Sequence, residues 1–96
     1  LVELPNLVTS EAAMANKEQL AILKQGAAVW NKWIGLHPDT EIDLEWAELI
    51  QADLSGIDLA DAEMFGANLY GAKLSGADLS GANLSGSVRW GCREKI

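Results

Sequence analysis

Residues 42–86 divide without remainder into nine five-residue blocks: IDLEW, AELIQ, ADLSG, IDLAD, AEMFG, ANLYG, AKLSG, ADLSG and ANLSG. Each opens on Ala or Ile, places Asp, Glu, Asn or Lys second and Leu or Met third, and six of them end in Gly. A fixed period constrains the fold more tightly than composition does, because each copy must be one structural unit that stacks on the next. A period of five fits neither a helix, whose apolar residues recur at three and four, nor a plain strand, which alternates. A continuous helix would also lose about 1 kcal/mol at every Gly and would wind Leu44, Leu49, Leu54 and Leu59 around its axis.

The pattern is satisfied by a chain that runs extended for two or three residues and then turns a corner. First and third side chains then point to one side, and second and fourth to the other. Gly at the fifth place supplies a corner of positive φ at no steric cost. Repetition gives an all-β solenoid with a Leu ladder inside, flanked by a ladder of Ala and Ile.

The form A-(D/N)-L-x-G, undiluted at Ala52–Gly56, Ala67–Gly71, Ala77–Gly81 and Ala82–Gly86, resembles the pentapeptide-repeat proteins. That resemblance implies a right-handed quadrilateral β-helix of about two coils, with one block per face and four per coil. Residues 16–34 (NKEQLAILKQGAAVWNKWI) resemble the helix that precedes the repeats in short cyanobacterial members. The departures are Trp46, Gln51 and Asp61 at the corner, Ile42 and Ile57 at the small place, and Met64 at the centre, so the first coils are less regular than the last.

Ahead of the repeats, residues 1–15 read as an N-terminal arm, 16–35 as a capping helix and 36–41 as a link. Asn16 is a good N-cap, and Gln19 three residues on completes a capping-box pattern. Leu20, Leu23, Ala27, Trp30 and Ile34 share one face, and Ile22, Val29 and Trp33 form a second stripe. Gly35 and Pro38 end the helix. The first stripe is expected to cover the open end of the solenoid. The second is expected either to pack the arm or to bury against another copy, with Gly26 allowing close approach. A stub of about two coils has as much end as middle, so its ends need lids. Residues 87–96 (SVRWGCREKI) read as a tail in which Val88 and Trp90 fold over the far end.

Four blocks per coil stack residues twenty apart. Fourth positions then give one face with Glu45, Phe65 and Ser85 and its neighbour with Ile50 and Tyr70. Ile50, Phe65 and Tyr70 form an apolar patch that reads as scattered exposed residues or as a partner site. Residues 42–86 hold eight acids against Lys73, which accounts for the whole formal charge of −7. Such a surface disfavours nucleic acid, since nothing neutralises phosphates.

No run is long enough to span a membrane and no signal-peptide pattern is present. The single Cys92 cannot form an internal disulfide and fits a reducing cytoplasm. The chain opens on Leu1 and not Met, so it reads as trimmed or partial. His37 stands alone, Cys92 lacks a second ligand at metal spacing, and the glycines mark corners instead of a phosphate loop. The expectation is a non-enzymatic chain without cofactor or metal. It is a scaffold or protein-interaction module that self-associates, as a homodimer, through its helical cap or open coil end, by way of Ile22, Val29, Trp33 and Trp90. The alternative is a regulator that binds one protein through Ile50, Phe65 and Tyr70. Its most specialised form is the DNA-mimic topoisomerase inhibitor that the family resemblance brings with it.

Overall fold

A computed structural model describes residues 15–92, so the predicted arm except its last residue, the buried Ala15, and the last four residues lie outside the described part. Two helices, α1 (Lys17–Leu23) and α2 (Ala27–Leu36), precede a coiled stack of five-residue blocks. The stack is held by six isolated parallel bridges, each between residues twenty apart, from Asp43↔Glu63 to Asn68↔Val88. Four blocks therefore make one turn. No continuous strand forms among the described residues, because each block is extended only briefly before its corner.

One set of bonds repeats at every step. Between the first two coils, Glu63 N–H donates to the Ile42 carbonyl, Leu44 N–H to Glu63, and Trp46 N–H to Phe65, at 2.9, 2.7 and 2.8 Å. Within a coil, the residue after each corner donates to the central residue three back, as Ala47 does to Leu44 at 3.1 Å. Only the third residue of that turn, Trp46, has positive φ, at 63°, which is a type II turn. Central and first side chains point inward as expected: Leu44, Leu49, Leu54, Leu59, Met64, Leu69 and Leu74 are buried, with Ala47, Ala62, Ala67 and Ala72 beside them.

The second position does more than face water. Asp43, Asp53, Asp58, Asn68, Asp78 and Asn83 each accept, through Oδ1, the N–H of the residue two further on, at 3.0–3.2 Å. That fourth-position N–H takes no part in the bonds between coils. The short carboxylate or amide is therefore a local partner for an otherwise unbonded donor, which is why Asp and Asn dominate there.

Corners differ between the first coil and those below. Trp46, Gln51 and Asp61 hold positive φ near 60° in the first coil, at about 1 kcal/mol or more each for a residue with a Cβ. One coil down, a Cβ on Gly66 would lie 2.5 Å from the Trp46 ring. The side chains of Trp46, Gln51 and Asp61 lean into the space beneath, and at residue 66 any side chain would have to displace the Trp46 ring.

Two sequence expectations change. The helix predicted over 16–35 is broken. Gln25 and Gly26 donate to Ile22 and Leu23 in tight three-residue turns at 3.0 Å, and Gly26 at φ 109° redirects the chain. A straight twenty-residue helix would be about 30 Å long, whereas a five-residue face spans at most about 17 Å. The break lets the helical segment lie along two faces without overhanging. Second, residues 87–91, predicted as a tail, form a tenth block. Val88 N–H donates to Ala67, Leu69 N–H to Val88 and Gly71 N–H to Trp90, and Gly91 has φ 74°. Val88 and Trp90 thus occupy outward positions and do not cover the ladder. Arg89 stands in the column of Leu49 and Leu69.

The helices close the first coil with side-chain amides that act as peptide groups. Gln19, buried at 5% exposure, donates to the Glu41 carbonyl at 2.9 Å and accepts from Asp43 N–H at 2.8 Å. Asn31 does the same one face away, donating to Gly56 at 3.0 Å and accepting from Asp58 N–H at 2.8 Å. Asn16 N–H and the Trp30 indole Nε1–H supply the bonds that a coil above would give the Asp43 and Asp58 carbonyls, at 2.9 and 2.7 Å. The capping box is consequently half formed. Asn16 caps Gln19 N–H at 3.0 Å, but the Gln19 side chain is used on the stack. Each clasp straddles one of the two Ile residues at the small place, Ile42 and Ile57, and both are buried beneath the helices.

Candidate functional site

The outward positions sort by face. Blocks at 52–56 and 72–76 show Asp53, Ser55, Lys73 and Ser75, and those at 57–61 and 77–81 show Asp58, Ala60, Asp78 and Ser80. Blocks at 47–51, 67–71 and 87–91 show Glu48 and Ile50, Asn68 and Tyr70, Val88 and Trp90. Bonds from Gln51 N–H to the Tyr70 carbonyl and from Gly71 N–H to the Trp90 carbonyl stack Ile50, Tyr70 and Trp90 in one column. All three are exposed, Trp90 to 77%. At the leading corner of the same face, the Trp46 and Phe65 rings meet edge to face at 5.3 Å and 86°. Both remain exposed, at 49% and 40%. One side of the stack is therefore an apolar, aromatic strip, and the faces at 52–61 and 72–81 carry acids and Ser with Ala60 and the single base Lys73.

Ile50, Phe65 and Tyr70, singled out in the sequence, lie together, and Trp90 joins them by continuing the column in the tenth block. Trp46 was not among the candidates. Its signal was available: it lies twenty residues before Gly66 and one residue beyond the column of Phe65. The candidates on the helices are separated. Ile22 and Trp33 are partly buried against the core, and only Val29, 42% exposed, faces outward. Trp33 tilts against Trp30 at 5.5 Å and stacks on the His37 ring at 4.6 Å. His37 itself is held by a contact from its Nδ1 to the Trp33 carbonyl at 2.9 Å.

Carboxylates at second positions on the polar faces are engaged locally. The Ser80 hydroxyl, at 2.7 Å, and then the Ser80 N–H hold the Asp78 carboxyl below the usual carboxylate range. Asp53 is lowered in the same way by the Ser55 hydroxyl and N–H, with Lys73 assisting and desolvation opposing. A groove of about 360 Å³ runs between the helix-to-stack link and the block at 57–61, lined by Ile34, His37, Pro38, Glu41, Asp58 and Asp61. Among the described residues, no group of three His, Cys, Asp or Glu is placed to hold a metal ion. No helix there is long and apolar enough to cross a membrane.

Compared with known families, the chain matches the family described as pentapeptide repeats, in eight copies over residues 42–81. No curated protein and no solved structure matches it.

Proposed function

The chain is a pentapeptide-repeat protein, and from that premise we propose that it is a protein-interaction module whose working surface is the aromatic face of the stack. Proteins of this family generally form right-handed quadrilateral β-helices and serve as non-catalytic interaction modules. The coil of four blocks per turn is read here as that β-helix, and the chain as a non-enzymatic, cytoplasmic member of the kind with a helical lead-in. The observation that carries the reading is the segregation of outward residues. Ile50, Phe65, Tyr70, Trp90 and Trp46 gather on one side while every other fourth place holds Ser, Ala or Glu. Large exposed apolar strips rimmed by polar residues mark interaction sites.

The measurement is partner capture from the source cell with the wild-type chain against Tyr70→Ser and Trp90→Ser. A partner retained equally by all three ends the assignment of this face.

Self-association is the second reading, favoured by the open last coil, whose Leu79 and Leu84 are only partly buried. A homodimer formed there, or through Val29 on the cap, is tested by light scattering across a concentration series, where a monomer throughout removes it. The topoisomerase-mimic form has the least support, since a stack of ten blocks spans only two and a half turns. Unchanged supercoiling by purified gyrase in the presence of the chain would dismiss it.

A further inference from the structure

We infer that the aromatic face takes a cationic amphipathic helix, laid along the stacking direction. This rests on the reading of that face as the working surface and adds the chemistry of its occupant. The Ile50, Tyr70 and Trp90 column steps by one coil, about 4.8 Å at strand spacing. Apolar side chains one turn apart on a helix are about 5–6 Å apart. Apolar side chains at i, i+4 and i+7 of a helix advance about 10.5 Å along its axis, close to the roughly 9.6 Å spanned by two coil steps, so such a stripe meets the column over two turns. The rings and Ile50, between 40% and 77% exposed, present on the order of 500 Å² of mostly apolar surface, enough to anchor such a stripe.

Charge selects the flank. On the blocks at 42–51, 62–71 and 82–91, the second and fourth places hold Asp43, Glu45, Glu48 and Glu63 and no base. Lys73 lies beyond the next corner, and Arg89, at the central place of the block at 87–91, is exposed at the open end and is the one base bordering the strip among the described residues. Asp43 and Glu45 lie on the side of the strip where Phe65 and Trp46 meet, and Glu63 is one coil below Asp43. Glu48 lies between Trp46 and Ile50 in the sequence of the first coil. A partner with Lys or Arg beside its apolar stripe pairs with this border and gains cation–π contact with the rings. A second copy presenting the same face would instead set these acids against each other, which disfavours the face as a symmetric dimer contact.

The test uses the whole chain and two synthetic helical peptides of equal length, one patterned with Lys and Leu and the other with Glu and Leu. Titration is followed by calorimetry and by tryptophan emission, which shifts to the blue as Trp90 and Trp46 are covered. The expected result is binding of the Lys/Leu peptide alone, weakening with added salt. Affinity should fall roughly tenfold in Trp90→Ser and in Tyr70→Ser. Both side chains are exposed, so the variants keep the fold, and unchanged melting confirms it. Glu45→Lys and Glu48→Lys should weaken the Lys/Leu peptide and admit the Glu/Leu one. Equal binding of both peptides, lost in Trp90→Ser, overturns the charge selection while leaving the face as a docking surface. No binding, binding indifferent to Trp90 and Tyr70, or a doubling of mass by the chain alone through this face overturns the inference.

Discussion

The two ends of the stack solve the same problem in opposite ways. At the first coil, backbone groups that would pair with a coil above are bonded by Gln19, Asn31, Asn16 and the Trp30 indole, and the hydrophobic column is roofed by Leu23 and Trp30. At the last coil no lid appears among the described residues. One interior column instead turns polar, that of Leu49 and Leu69, together with the small place beside it. Ser87 follows Ala47 and Ala67 at the small place, with a buried hydroxyl that finds no partner, and Arg89 follows Leu49 and Leu69 at the centre. One end is closed by supplying bonds, whereas the other stops one of its columns with polar residues and leaves Leu79 and Leu84 only partly buried. Exposed sheet edges are guarded in both of these ways in other folds.

The contrast breaks most severely at Trp30. It is fully buried and bonds Asp58, so Trp30→Ala is expected to cost about 3–5 kcal/mol in denaturant unfolding. A loss below about 1 kcal/mol would mean that the roof is dispensable. Next come the clasps. Gln19→Ala and Asn31→Ala should each cost about 1–3 kcal/mol, because each leaves two backbone groups of the stack without a partner. The matched change at the open end, Asn83→Ala, is expected to cost about 1 kcal/mol or less, since its groups are exposed. Equal losses at the two ends would erase the distinction.

Gly66→Ala sharpens the picture one layer down. It forces a Cβ into a positive φ at about 1–2 kcal/mol, and it displaces the Trp46 ring. Gly56→Ala meets nothing within 4 Å and should suffer only the conformational part, so the difference between the two melting points isolates the ring contact. At the open end, Arg89→Leu should raise stability by up to about 1 kcal/mol, and light scattering should show increased mass as the ladder becomes stackable. An unchanged mass argues against Arg89 as a stop.

The smallest effect is acid sensitivity. Asp53 and Asp78 have folded pKa values below the usual Asp value of about 3.9. Their contribution is complete above the unfolded value and is lost as pH falls through the folded one. Both are exposed, so Asp78→Asn should flatten the acid limb of the stability curve only slightly. A shift near neutral pH would contradict the assignment.

What could be read from the sequence follows from which interactions are periodic. Leu at every fifth place gives the interior, and the outward places of Phe65, Tyr70 and Ile50 follow once four blocks make a turn. The tenth block escaped because Ser87 and Arg89, at its first and third places, are the wrong type, although the backbone continues unaltered through Gly91. The helix break escaped because Gln25 and Gly26 sit inside an unbroken apolar periodicity, and periodicity is blind to a change of axis. The clasps of Gln19 and Asn31 are tertiary and leave no local trace. Their footprint was nevertheless present in Ile42 and Ile57, which stand where Ala is otherwise used and lie under the two faces that the helices cover.

From the second coil on, each block is tied to the block twenty residues earlier by three backbone bonds, and the last blocks have no further coil below them among the described residues. A pull on the C-terminal end therefore loads one block at a time, and the chain should peel away as tape leaves a reel. Each release yields about 17 Å of slack, the extended length of five residues. The resistance should stay level until the force reaches the coil held by Gln19, Asn31 and Trp30, and climb there.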